Sequence, residues 1–221
     1  GLGEESLRGN VSFGYGVWKS VDAGITWTNI GLKNGRHITR IVVHPTSPDI
    51  VFAAVLGDLF TNSEERGLYR SLDGGATWTR VAFSSNSAGF NEVVIDPLNH
   101  RNMYASSWEV RRTPHSFSSG GEGSALWKST NGGATWEKLN TKSGFPTGTI
   151  GKITVSASPV KKNLVFAMIE HKTQGGLYKS TDGGKTWFRV NDTGDILQRA
   201  WYFSRVYCDT KDAETVYTMN V

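Results

Sequence analysis

The amino-acid sequence predicts an all-β protein. The expected architecture is a β-propeller of four-stranded antiparallel blades, with about four blades' worth of strands forming an arc of a larger ring. Three observations predict it: an eight-residue hairpin pattern recurs four times at near-constant spacing, apolar runs of strand length lie in pairs between the copies, and no segment carries the 3.6-residue periodicity of an amphipathic helix.

The repeat is Ser-x-Asp-x-Gly-x-Thr-Trp. It occupies Ser20 to Trp27, Ser71 to Trp78, Ser129 to Trp136 and Ser180 to Trp187, with Asn131 in place of Asp in the third copy. The closing Trp residues lie 51, 58 and 51 residues apart. Between copies run Ile38 to Pro45, Phe90 to Pro97, Ile150 to Ser156 and Tyr202 to Asp209. Each is followed by a second apolar run: Ile50 to Val55, Asn102 to Trp108, Leu164 to Ile169 and Thr215 to Val221. Four short strands in roughly 50 residues, punctuated by turns, are the pattern of a propeller blade. The expected boundaries are a half-blade over 1–32, blades over about 33–82, 83–140 and 141–192, and a half-blade over 193–221, sixteen strands in all. Half-blades at both ends and a first residue that is Gly rather than Met read as an arc cut from a larger ring.

The repeat explains the composition. Gly makes up 26 of 221 residues, about 12% against a usual ~7%, and there are 8 Trp. In each copy the Asp carboxylate can accept backbone N–H groups across a tight turn, the glycines supply positive φ, and the Trp ring can lie beneath the turn. In the first copy Ala23 replaces the first glycine, so Gly24 is the expected positive-φ position. The scaffold residues are therefore Ser20, Asp22, Gly24, Trp27, Ser71, Asp73, Gly75, Trp78, Ser129, Asn131, Gly133, Trp136, Ser180, Asp182, Gly184 and Trp187.

These four segments resemble Asp-box (BNR) repeats. Such repeats occur in sialidases, xyloglucanase-type glycoside hydrolases, sortilin-type receptor domains and a photosystem assembly factor. Gly3-Glu4, Gly35-Arg36-His37-Ile38, Glu65-Arg66-Gly67-Leu68-Tyr69 and Trp108-Glu109-Val110-Arg111-Arg112 resemble large secreted bacterial proteins of sortilin-like or glycosyl-hydrolase-like type. The resemblance implies the fold and an extracytoplasmic location (secreted, periplasmic or cell-surface). It leaves the activity open, because the same box serves enzymes and binding proteins.

Other classes are set aside by composition. No apolar run reaches the ~18 residues of a membrane-spanning helix. The net charge of +4 comes from residues spread along the chain, with no basic block for a nucleic acid. Cys208 alone makes neither an intrachain disulfide nor a zinc site. One carboxylate per box falls short of the six to eight oxygens of a Ca²⁺ site, so no metal and no cofactor are expected.

Strand alternation puts all four boxes on one face. The opposite face carries the loops 57–66, 109–124 and 170–175 and the links 33–37, 140–149 and 191–201. The candidate ligand-binding residues there are Arg36, His37, Arg66, Trp108, Glu109, Arg111, Arg112, Arg199, Trp201 and Tyr202. Arginine forks grip carboxylates or phosphates, and Trp stacks on sugars or side chains. Trp108 is expected near the channel mouth. Glu4, Glu5 and Arg8 join this face if the N-terminus ends a second strand.

A glycoside hydrolase would need two carboxylates, ~5 Å apart for retention or ~6.5–9.5 Å for inversion. Glu65 and Glu109 are the first candidates, with Glu4, Glu5 and Glu170 behind them, and nothing in the sequence selects a pair. The sialidase arrangement would use Arg36, Arg112, Arg199 and Tyr202, but no flanking motif matches and the Asp acid is missing. The favoured expectation is a scaffold binding a peptide, glycan or partner protein on its loop face, completed by further sequence or a partner chain. The alternatives are glycoside hydrolysis and a structural part of a cell-surface assembly.

Overall fold

The computed structural model describes residues 1–220, so the last residue of the expected strand Thr215 to Val221 lies outside the described residues. Seventeen strands form five antiparallel sheets. The first sheet pairs β1 (Trp18–Lys19) with β2 (Thr28–Asn29). The second has β3 (Ile38–Val43), β4 (Val51–Val55), β5 (Gly67–Ser71) and β6 (Thr79–Ala82) in chain order. The third contains β7 (Ala88–Ile95), β8 (Met103–Arg112), β10 (Ala125–Ser129) and β11 (Glu137–Lys138), with the short β9 (Phe117–Ser119) added to the end of β8. The fourth is β12 (Ile150–Ala157), β13 (Val165–His171), β14 (Gly176–Ser180) and β15 (Phe188–Asn191), and the fifth pairs β16 (Arg205–Cys208) with β17 (Val216–Met219). The two-stranded sheets remain separate from each other, so the five sheets form an open propeller arc. Helix is limited to two 3-10 turns, Lys33–Gly35 and Gly194–Leu197, among the described residues.

The box hairpins fold as their chemistry dictates. Ser71 Oγ donates to Asp73 Oδ1 (2.7 Å) and accepts from Gly75 N–H (2.8 Å), while Asp73 accepts from the backbone N–H and hydroxyl of Thr77. The boxes at Ser20 and Ser180 repeat this set. In the third box the side-chain bond reverses: Asn131 Nδ2 donates to Thr135 Oγ1 at 2.8 Å, so an amide can replace the carboxylate. Trp27, Trp136 and Trp187 donate Nε1–H to the glycine carbonyl of their own box, whereas Trp78 reaches across to Ile30 O at 2.8 Å. Ala23 has φ 58° beside Gly24 at φ 90°, so both turn positions are left-handed in the first box, as in the other three. The expectation that Gly24 alone takes positive φ is therefore corrected. A second residue must turn left-handed for the Asp22 carboxylate to meet the Thr26 N–H.

The boxes of the three complete blades lie on the same side of the arc as the turns between the first and second strands. Gly74, Gly132 and Gly183 donate N–H to Asp49, Arg101 and Asn163 O, in the turns between the first and second strands of their own sheets. Between sheets the core is apolar and buried. Phe52, Leu68, Phe90, Met103 and Trp127 fill the seam between the second and third sheets, and Tyr104, Leu126, Ile153, Val165 and Trp187 fill the next.

Two local expectations differ from the structure. Residues 109–124, expected as a loop, contain the end of β8 and all of β9, because Val110, Arg111 and Arg112 pair with Ser119, Ser118 and Phe117. Residues 1–16 end no second strand. They form an irregular strap whose Leu7 and Val11 cover Leu56, Leu59, Trp108 and Val110 on the side opposite the boxes.

Candidate functional site

The innermost strands carry a feature absent from the expected site. Arg40 on β3, Glu92 on β7, Lys152 on β12 and Arg205 on β16 occupy matching positions, 52, 60 and 53 residues apart. In the three complete blades a β-bulge falls at this point, where the register shifts between Ile38 and Arg40, Phe90 and Glu92, and Ile150 and Ile153. A bulge re-aims side chains, and here it accompanies charges that meet one another. Glu92 lies 3.1 Å from Arg40 Nε and 3.0 Å from Arg205 Nη1. Glu5, brought in by the strap, bonds Arg205 Nη2 and lies 3.5 Å from Lys152 Nζ, which also donates to Tyr202 O at 2.9 Å. Burial pushes the Glu92 carboxyl up and the Lys152 ammonium down. Burial also works against the Arg205 charge, but Glu5 and Glu92 outweigh it and hold the guanidinium above its ordinary value. Polar side chains beside the bulges tie blade to blade: Thr39 Oγ1 donates to Phe90 O and Asn91 Nδ2 to Ile153 O.

Among the clefts on the face opposite the boxes, three gather the expected residues. One, of about 460 Å³, lies between the β13 end and the link into β16. Ser119, Glu170, His171, Gln198 and Trp201 line it. Glu170 Oε2 accepts from Ser119 Oγ and Lys152 N–H, both at 2.7 Å, and a side chain at Gly151 would meet this carboxylate at 2.3 Å. His171 Nδ1 accepts from Thr173 and Gln174 N–H, which leaves Nε2–H to donate to Thr147 O at 2.8 Å. Both ring nitrogens are thus occupied, and His171 ties its own loop to the link at Thr147. Trp201 is half-buried against Phe117 (4.9 Å between centroids) and Tyr202 (5.5 Å).

A second cleft, of about 500 Å³, brings Arg36 and Glu65 together with Asp58. Arg36 stacks 4.3 Å over the Phe13 ring and lies 3.9 Å from Asp58. A third, of about 390 Å³, gathers Arg66, Glu109 and Arg111 between the 57–66 loop and the β8–β9 hairpin. Glu109 Oε2 accepts from Gly123 N–H at 2.8 Å, and Arg111 Nη1 meets Asn62 Oδ1 at 3.4 Å.

The remaining expected residues do other work. Trp108 is fully buried instead of standing at the channel mouth. Its ring packs under Leu7 and Val11, and its Nε1–H donates to Ser119 Oγ at 3.0 Å. Alternation along β8 turns Trp108 and Val110 under the strap, which the sequence pattern of one strand did not reveal. His37 is also buried, with Nδ1–H donating to Gly57 O at 2.9 Å and burial pushing its pKa down. Arg66 is 1% exposed, and burial pushes its guanidinium down to about 10. Arg112 stacks on Phe117 and donates Nε–H to Arg8 O. Arg199 is exposed, and Tyr202 serves the axis through its carbonyl. Glu65 and Glu109, the two expected catalytic carboxylates, line different clefts.

Blades closed by Asp-boxes around a charged axis, with clefts on one face, define this chain as an Asp-box propeller segment. Residues 66–220 match the family model described as Sortilin-Vps10 (sortilin, neurotensin receptor 3), and the chain belongs to that family. It is also similar to a xyloglucanase of Hypocrea jecorina, 26% identical over 76% of this chain and 20% of the relative. A xyloglucanase of a Paenibacillus species is 23% identical over 91% of this chain and 19% of the relative. The chain thus spans about a fifth of the length of these curated relatives. Among solved structures, an ancestral GH74 enzyme superposes with a TM-score of 0.68 at 18% identity, over 97% of this chain and 26% of that one. The Xanthomonas campestris GH74 xyloglucanase gives 0.66 at 19% identity, over 98% and 33%. The fold is that of a glycoside-hydrolase-like propeller. No helix among the described residues is long and apolar enough to cross a membrane.

Proposed function

We propose that this chain is a glycan-binding segment of an extracytoplasmic propeller, and that the Trp201 cleft holds a polysaccharide strand. The observation that carries the reading is the half-buried Trp201 ring flanking a 460 Å³ groove with Glu170 and Gln198 in its wall. An aromatic face and a few fixed polar groups are what a sugar ring needs. The names of the curated relatives support a polysaccharide of the xyloglucan type, and the same likeness supports an extracytoplasmic location.

Hydrolysis is the second reading. Glu170 is the carboxylate in this cleft, and both donors on its Oε2 fix it as an acceptor. The carboxyl that burial raises, Glu92, lies between two guanidiniums on the axis, so it does not serve as a cleft acid. A binding role asks for no acid–base pair and fits these placements better.

Calorimetric titration with a xyloglucan oligosaccharide tests the reading, together with aryl-glycoside hydrolysis by the same preparation. Saturable binding that Trp201→Ala weakens about tenfold, without turnover, is expected; loss of one stacking platform is worth about 1 kcal/mol or more. Turnover abolished by Glu170→Gln, or by Glu109→Gln or Glu65→Gln in the neighbouring clefts, would instead establish the hydrolase, and undiminished binding by Trp201→Ala would move the site elsewhere.

A further inference from the structure

The cleft between the 57–66 loop and the β8–β9 hairpin carries a second recognition chemistry. Arg66 is 1% exposed, and only its Nη2 group finds acceptors, at the carbonyls of Asp58 and Thr61. Nε and Nη1 are buried without a protein partner. A guanidinium carries five N–H donors, so three of them are unsatisfied, and buried donors in native proteins are almost always paired. Arg111 lines the same cleft from an exposed position on β8. Neither arginine takes part in an ion pair among the described residues.

Glu109 also lines the cleft, but its Oε2 is held by the Gly123 N–H on the hairpin side. Counted over the cleft lining alone, two cations face one carboxylate and leave one positive charge, while Asp58, whose charge supports the Arg66 guanidinium, lines the neighbouring cleft beside Arg36. The rest of the lining is hydroxyl and amide, from Asn62, Ser87, Thr113, Ser116 and Ser118, with Val110 as its apolar member. A positively charged site walled by hydroxyls complements a ligand that carries one carboxylate on a polyhydroxylated ring. Its one apolar side chain, Val110, is itself buried, so no apolar side chain stands free in the cleft for a peptide.

The geometry points to this cleft as a binding site for an acidic saccharide, a uronate residue gripped by Arg66 and Arg111. The site is distinct from the Trp201 cleft and stands whether or not that cleft binds a neutral glycan. Burial lowers the Arg66 pKa, and a bound carboxylate would offset that penalty on its charge.

The test is calorimetric titration of the protein with trigalacturonate, cellotriose and triglutamate at low and high salt. The Trp201→Ala protein is titrated in parallel, so that any sugar held by the Trp201 cleft is told apart. In that variant trigalacturonate is expected to bind and the other two are not. Arg111→Gln is expected to weaken trigalacturonate binding at least about tenfold, as loss of a charge-assisted contact implies, while leaving the melting temperature unchanged. Arg66→Lys, which keeps the charge but loses the planar fork, is expected to weaken binding to a similar degree. Raising NaCl to about 0.5 M, which shortens the Debye length to about 4 Å, is expected to weaken it further. The proposal is overturned if trigalacturonate does not bind, if Arg111→Gln leaves its affinity unchanged, or if cellotriose or triglutamate binds the Trp201→Ala protein as well.

Discussion

Glu92→Gln tests whether the axial charges hold the blades together. Glu92 is 4% exposed, accepts from Arg205 Nη1 at 3.0 Å and lies 3.1 Å from Arg40 Nε without a hydrogen bond to it. Removing one partner from a buried ion pair costs about 3–5 kcal/mol, because the other charge is left desolvated and unpaired. Two features place this case at the lower end: Arg205 keeps Glu5, and the Arg40 side chain is 37% exposed. A loss of about 3 kcal/mol is therefore expected, which for a chain of this length lowers the melting temperature by about 6–12 °C. Urea unfolding followed by Trp fluorescence reads the loss directly. Arg40→Gln should cost less, about 1 kcal/mol, since Arg40 makes no hydrogen bond to Glu92, its side chain is 37% exposed and Glu92 keeps Arg205. A double-mutant cycle of Glu92→Gln with Arg205→Gln should show coupling of about 1–3 kcal/mol. Glu92→Gln within about 0.5 kcal/mol of the parent, or additivity in that cycle, would refute the idea that the axis is a structural ion network.

Three further outcomes follow from the boxes. Trp187→Ala should cost about 3–5 kcal/mol and Trp27→Ala under about 1 kcal/mol, both read by urea unfolding, because one ring is 2% exposed in the core and the other 58% exposed. Ala23→Gly should raise stability by about 1 kcal/mol in the same assay, as φ 58° strains any residue with a Cβ. Hydrogen bonds from Thr26 and Thr77 hold Asp22 and Asp73 down to about 2, and Asp182 also sits near 2 despite partial burial. Depressed carboxylates contribute stability that is complete above the unfolded value of about 4 and lost as pH falls through about 2. The melting temperature should therefore drop between about pH 4 and 2, and Asp73→Asn, which copies the natural Asn131, should flatten that drop.

The blades were legible because their signal is local. Each box fixes its own turn through bonds spanning two to four residues, so Ser71, Asp73, Gly75 and Thr77 announce the hairpin wherever they occur. The loop-face residues were only partly legible. Arg66, Glu109 and Arg111 do come together, as do Arg36 and Glu65, because each set joins neighbouring loops of adjacent sheets. Trp108 was misplaced because its burial depends on Leu7 and Val11, a hundred residues away in a strap with no periodic pattern.

The axis shows why register matters more than composition here. Arg40, Glu92, Lys152 and Arg205 recur at nearly the spacing of the box Trp residues, yet they share no residue type, so a search for identical letters passes over them. Arg40, Glu92 and Lys152 share the position beside a bulge, which is set by pairing between strands rather than by any one side chain, and Arg205 takes the corresponding place at the start of β16. The alternation of sign around the axis then follows from electrostatics: the single acidic blade position sits between basic ones, and the strap must deliver Glu5 to offset the adjacent Lys152 and Arg205. The strap is thus tied to the blades by charge at Glu5 and by apolar burial at Leu7 and Val11, and it helps form the face on which the clefts open.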